Sequence, residues 1–522
     1  MKTHSGCCGC ALHGASERDA GMARRTFLAA VGGSALAGCA TTAGTAALGS
    51  GKGRAEPVLE KKTLVVQPAL VYNVYGRREK TSWRPWGGLH TEGDIDQEVN
   101  RIGDELAKLA KDAEFDVAFL PVARVRSMAD AEAAANTSAD VMLIYAANGG
   151  LGEIERLISP DRYNLLYVRH TSGPVYLWYE IAHNRLLRKT VDEYGQPGLE
   201  VYDVIVDDYA EMLWRLRALF ALKNTVGSKM VAIGGPSGWG AGGAVAPQIA
   251  VEKWKMDIQT VSYDDLGQRI VAARQDAERV RQSQADAAAY LKDSKLACHV
   301  DTGHIERSFL LAGIFNDLMA EAGSQAITIN HCMGAIMPLA ETTACLTLSI
   351  INDAGTLAFC ESDFAVIPSG VLLHHICHTP VFLQDPTYPH DGIVTLAHCT
   401  APRKMDGKRL EKAQIVTHFE SDFGAAPKVD MKIGQEVTVL NPDFADKRWI
   451  GFRGTIAGNP FLDICRSQVE VAIDGDWRRL MEDMRGFHWM LAYGNHLKET
   501  GYALRKLGID WYNLTNDRTV ET

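Results

Sequence analysis

The sequence predicts an α/β protein in which two doubly wound, Rossmann-like domains precede a β-rich, barrel-like C-terminal domain. Three observations lead there. The chain has 522 residues, and at roughly 150 residues per domain that length suggests about three domains. From residue 61 to about 378, short β-branched runs alternate with helical patterns, the signature of a parallel sheet with covering helices. Beyond about 379, strand-like runs follow one another with little helix between them. Hydrophobic residues make up 46% and charged residues 23%, which leaves no compositional support for disorder or a fibrous protein. The net charge is −10 and no dense Lys/Arg run is present, so nucleic acid is not an expected partner.

Taken in order, residues 1–39 read as a Tat-type lipoprotein signal peptide. Arg24 and Arg25 precede an apolar stretch too short to span a bilayer but suited to a signal-peptide core. Leu36-Ala37-Gly38-Cys39 resembles a lipobox, which places a lipid on Cys39 and predicts an exported protein, periplasmic or at the cell surface, that meets the membrane only through this anchor. Cys7, Cys8 and Cys10 precede the cut and would be lost with it. Residues 40–60, rich in Ala, Gly, Thr and Lys, form the expected linker. In the first α/β domain, 61–225, strands are expected at 63–66, 117–120, 141–145 and 165–168, and helices near 97–112, 127–136, 177–189 and 209–222. The second, 226–378, should contain strands at 230–233, 258–261, 326–329 and 357–360, a long charged helix over 264–292 and another over 305–322. The C-terminal domain, 379–522, opens with a strand at 381–383. Further strands are expected at 394–397, 414–419, 435–440, 451–457 and 469–473, followed by a closing helix over 492–506. Cys298, Cys332, Cys345, Cys360, Cys377, Cys399 and Cys465 are odd in number and contain no CxxC pair, so no disulfide framework is indicated; Cys360 and Cys399 end apolar runs and read as buried thiols.

Ligands of parallel sheets gather beyond the carboxyl ends of the strands, and here the residues following the strands are unusually polar. The strand at 230–233 runs into Gly234-Gly235-Pro236-Ser237-Gly238-Trp239-Gly240, which lacks the spacing of a P-loop or dinucleotide fingerprint and reads first as a turn and second as a sugar contact. Other strands end at His331, at Glu361 with Asp363, at Asp385 and at His398. Asp363 suits a helix N-cap as well as it suits a site. Glu361 and Asp385, 24 positions apart at successive strand ends, would put two carboxylates at one sheet edge.

The elements Glu361-Ser362-Asp363, Val381-Phe382 with Asp385, and Gly486-Phe487-His488 followed by Tyr493-Gly494 resemble the metal-binding elements of the L-fucose isomerase family, related to L-arabinose isomerases. The resemblance implies that Glu361, Asp385 and His488 bind a divalent cation, Mn2+ foremost, and that Glu361 and Asp385 also move the proton. It further implies a monosaccharide substrate and a trimeric or hexameric homo-oligomer. The residue types fit that chemistry unaided: aldose–ketose interconversion removes a proton α to a carbonyl, and a cation beside carboxylate bases stabilises the charge that develops. His398, Trp489, Trp239 and His331 are candidate substrate contacts, although for His331 a hydrogen-bonded core position is the first expectation. His374, His375 and His378, near a helix end, suit a cationic or capping role. The function expected is therefore a metal-dependent aldose–ketose isomerase, or an enediol-forming relative, acting on a free sugar. The alternative is an exported sugar-binding lipoprotein without catalysis.

Overall fold

The computed structural model describes residues 61–188 and 195–515. The twin arginine, Cys39 and the 40–60 linker lie outside the described residues. Strand β1 (Leu64–Val71) is buried along nearly its whole length, as an apolar run must be when both faces of its sheet are covered. It is joined by β2 (Val117–Phe119), β3 (Ala123–Val125), β4 (Val141–Ala146), β5 (Tyr163–Val168) and β6 (Val204–Val206) in a parallel sheet of order β2-β1-β4-β5-β6, with β3 pairing the distal half of β1. The helix Glu92–Asp112 begins earlier than its apolar pattern because Thr91 and Asp94 form a reciprocal capping box.

A second parallel sheet contains β7 (Lys229–Ile233) and β8 (Asp257–Val261). After β9 (Leu296–Cys298), which belongs elsewhere, it is completed by β10 (Ala326–Ile329) and β11 (Leu357–Cys360), giving the order β11-β10-β7-β8. The long helix expected over 264–292 is two helices, Tyr263–Gln275 and Ala277–Tyr290. Asp276 divides them: its N–H closes the first on Ala272 and its carboxylate accepts from the amides of Glu278 and Arg279 that open the second. A short acidic side chain offers the backbone this alternative, and a period-3.6 pattern continues through it unmarked.

The C-terminal region is mainly antiparallel. It contains β12 (Phe382–Pro386), β13 (Ile393–His398), β14 (Lys412–Val416), β15 (Ala426–Asp430), β16 (Glu436–Pro442), β17 (Arg448–Gly458), β18 (Ser467–Asp474), β19 (Trp489–Tyr493) and β20 (Asp510–Asn513). Six of them, in the order β16-β19-β12-β13-β18-β17, close into a barrel through β16–β17 pairing, and β20 adds in parallel to β17. Alternate residues such as Val394 and Leu396, Val437 and Val439, and Val469 and Val471 share one apolar core with Phe452 and Trp489. Strands β14 and β15 leave the barrel and form a small sheet with β9. The closing helix expected from 492 starts at Leu497, because Trp489–Tyr493 is a barrel strand between β12 and β16. All five of its residues are buried, so it lacks the alternation that marks a strand in sequence.

Helix Ile367–Cys377 connects the second sheet to the barrel and is buried nearly all round. It corrects the reading of its histidines. Burial pushes His374 down to about 4 and His375 well below its ordinary value, so neither is the cationic group expected. His378 does cap the helix, with φ of +56° and its N–H on the His374 carbonyl, but burial holds it, too, at about 4. All described residues belong to a single compact unit, and among them no single helix is long and apolar enough to cross a membrane.

Candidate metal centre

The carboxyl ends of β7 and β11 are stitched together. Ser237 donates its N–H to Ser362 O (3.1 Å) and accepts from Phe364 N (3.0 Å), so the glycine-rich loop after β7 lies against the turn after β11. Gly238 serves that turn by close approach, since a Cβ there would overlap the Gly243 carbonyl. Glu361 and Ser362 both take left-handed conformations, φ +63° and +46°, a costly arrangement for two consecutive non-glycine residues and one that occurs where surrounding structure enforces it. The turn aims Glu361 at Trp239, whose indole N–H donates to Glu361 Oε2 at 2.5 Å.

Two strands of the barrel and the segment before a third supply the opposite wall. Asp385 on β12 brings Oδ1 to 3.2 Å from His488 Nε2. Glu361 Oε2 lies 3.6 Å from the same nitrogen, and Glu361 Oε1 lies 3.6 Å from His398 Nε2 at the end of β13. Both imidazoles are buried, whereas Glu361 and Asp385 keep 30% and 25% of their side chains exposed, leaving an approach from solvent. Asp363, wholly buried, accepts from Ala365 N (3.1 Å) in the turn that precedes the Ile367–Cys377 helix, and its other oxygen is 2.8 Å from His488 Nδ1. With the proton on Nδ1, Nε2 is left as a lone pair facing Glu361 and Asp385. The helix N-cap is Val366, which makes no side-chain cap hydrogen bond, so of the two roles its sequence position allowed Asp363 takes the one at the site.

The electrostatics follow from this crowding. Burial works against ionisation of Glu361, but the imidazoles of His398 and His488 and the Trp239 N–H outweigh it and hold the carboxyl down at about 2. Burial also opposes charge on His398, yet the hydrogen-bonding and charge of Glu361 and the charge of Asp385 bring it up to about 9. His488 is likewise raised well above its ordinary value, against burial, by Asp385, Asp363 and Glu361. Even so, Asp385 Oδ1, His398 Nε2 and His488 Nε2 are buried with no aligned hydrogen-bond partner. Orphaned polar atoms are expensive in a protein interior, and these point toward one another. Asp385, His398 and His488 offer ligand atoms within 4.8 Å of each other, as do Cys360, Glu361 and His398. Two carboxylates and two imidazoles converging in this way could hold a divalent metal ion.

Of the residues singled out in the sequence, Glu361, Asp385, His488 and His398 come together here. Trp239 is present as well, though it donates to Glu361 and stacks on Phe487 (centroids 4.2 Å apart, 11° between planes). Trp489 is buried in the barrel core with its N–H on Arg485 O at 3.0 Å, so it has no face open to a sugar. Adjacent residues of an extended strand point to opposite sides, and His488 takes the side of the carboxylates. His331 is exposed, at φ +47°, correcting the expectation of a core position; it shares the sheet edge with Glu361, because Ile329 pairs with Cys360, without joining the cluster. Phe487, the platform for Trp239, carried no signal of its own in the sequence. No protein-family model matches this chain, and no curated protein matches it significantly.

Proposed function

We propose that the protein is a metal-dependent aldose–ketose isomerase acting on a free monosaccharide, with Mn2+ as the cation. The observation that carries this reading is the meeting of Glu361 and Asp385 on His488 Nε2, with orphaned buried polar atoms at the same place. A divalent cation bound there would polarise the sugar carbonyl and stabilise the negative charge that develops on proton removal. Glu361, Asp385 and His488 would hold it, and His398 stands within reach. Glu361, a carboxylate beside the cation, is the base that takes the C2 proton and, once protonated, gives it to the neighbouring carbon. Asp385 would relay the hydroxyl proton between the two sugar oxygens as the carbonyl shifts, so that both carboxylates end the cycle as they began it. Trp239 fixes the Glu361 carboxylate through its indole N–H, and Asp363 fixes the His488 ring. The finer reading of both parallel sheets as doubly wound, Rossmann-like units belongs to the same proposal, as do Tat export, a lipid at Cys39 and a trimeric or hexameric assembly.

The reaction leaves a trace even when the net equilibrium is unfavourable, because a reversibly formed enediol exchanges its carbon-bound proton with solvent. A panel of free aldoses and ketoses in deuterated water with Mn2+ is expected to include a sugar that gains deuterium at C2. Glu361→Gln, nearly isosteric, should slow that exchange by at least ~10²-fold while weakening sugar binding much less. Absence of exchange with every sugar in Mn2+-loaded protein would leave sugar binding without catalysis.

A further inference from the structure

A second cluster of metal-ligating atoms stands apart from the carboxylates. His398 turns its ring to Glu361, and the next residue, Cys399, lies at the seam between barrel and α/β region. There its sulfur is 3.4 Å from that of Cys345, in the first turn of helix Ala344–Asp353. His418, just after β14, offers a ring nitrogen, and the three ligand atoms lie within 4.8 Å of one another. All three residues are buried: Cys345 is 3%, Cys399 5% and His418 5% exposed. Cys465, in the β17–β18 connection, brings a further thiol beside Cys399. Ser421 Oγ is 3.4 Å from His418 Nδ1 and steadies that ring.

Buried cysteines are ordinarily small apolar fillers, so the spacing has to decide. Two thiolates on a tetrahedral zinc, at Zn–S of ~2.3 Å, stand ~3.8 Å apart; a disulfide requires ~2.05 Å. From 3.4 Å, a cation asks the sulfurs to separate by about 0.4 Å, whereas a disulfide asks them to close by more than about 1 Å between a helix and a strand end that are both packed. A thiol pair with a buried imidazole from a third element is the soft donor set that selects zinc over manganese.

We propose that Cys345, Cys399 and His418 form a structural site for a thiophilic divalent cation, zinc above all, that ties helix Ala344–Asp353 to the barrel. Binding displaces the thiol protons to solvent and involves no change of oxidation state. The site is independent of the proposed isomerase chemistry: it uses none of Glu361, Asp385 or His488, and its ligands are soft where those are hard.

Cobalt(II) distinguishes the two clusters, since only thiolate ligation produces an intense sulfur-to-metal charge-transfer band. Full-length protein, purified anaerobically and reduced, is expected to take up Co2+ with that band and to lose the band on addition of one equivalent of Zn2+. Cys399→Ser and, separately, His418→Gln should weaken Zn2+ binding by at least ~100-fold, more than loss of a supporting hydrogen bond costs, while Glu361→Gln leaves the band intact. Wild-type protein that binds Co2+ without the band would overturn the proposal, whether or not any variant folds. So would a band that survives Cys399→Ser or disappears in Glu361→Gln, or isolation of Cys345 and Cys399 as a disulfide from the anaerobic preparation.

Discussion

At the scale of the residue, the site depends on partners that hold the ligands still. Asp363 gives His488 its orientation through a 2.8 Å contact in a fully buried position. Asp363→Asn keeps the volume but removes the charge, and its amide can turn an N–H toward the ring. Mn2+ affinity, measured by titration calorimetry, should fall 10–100-fold with little change in sugar affinity at saturating metal. An unchanged metal affinity would reduce Asp363 to a buried turn residue. Trp239 presents the same logic at Glu361, where its indole supplies a 2.5 Å hydrogen bond and Phe487 supplies the platform.

Among the elements, the loop after β7 is the one on which the cluster leans without contributing a ligand. Its cross-links to the Ser362–Phe364 segment hold Trp239 against Glu361, and Gly238 lies too close to the Gly243 carbonyl to accept a Cβ. The obstacle is backbone, which cannot rotate away as a side chain would. Gly238→Ala should therefore displace the loop, lowering stability by about 1–3 kcal/mol, the usual cost of overpacking, and shifting the fluorescence of Trp239 as its stack on Phe487 opens. Thermal unfolding and emission spectra check this together; a variant with wild-type melting and emission would show the loop to be more compliant than its geometry implies. The paired-helix break at Asp276 and the strand at Trp489–Tyr493 teach a complementary lesson. Local hydrogen bonding of one carboxylate ends a helix that periodicity continues, and full burial hides a strand that alternation would have revealed.

For the molecule as a whole, the buried histidines set a pH dependence. Burial depresses His374, His378 and His418 to about 4 and His375 well below its ordinary value. Between about pH 6.5 and 4 the unfolded chain binds protons that the folded one refuses, so stability is full above 6.5 and falls with pH, by up to about 1.4 kcal/mol per pH unit for each such group. His398, raised to about 9, acts in the opposite sense: its contribution is complete below 6.5 and is lost as pH rises toward 9. Protein treated with chelator is thus expected to melt highest near pH 6.5 and progressively lower on either side. A melting temperature flat from 6.5 down to 4.5 would contradict the neutral burial of these rings.

Local composition and pattern were sufficient for the α/β alternation, the turn to β structure near residue 380 and the strand-end placement of Glu361 and Asp385, because each is written in periodicity or in a residue type at the end of an apolar run; His488 as their companion was implied only by the resemblance of its motif to a known family. Tertiary structure alone decided the rest. Closure of six strands into a barrel sets β19 between β12 and β16, pairings between distant segments that no local pattern encodes. That closure carries His488 to within 3.6 Å of Glu361, 127 positions earlier in the chain, and His398 to the same carboxylate. Burial of the helix Ile367–Cys377 between the helix Tyr209–Thr225 and β19 turns its histidines into neutral rings. Packing at the seam sets two thiols and an imidazole together, residues whose spacing in sequence matches no zinc motif, since each comes from a different element and only the assembled core brings them into contact.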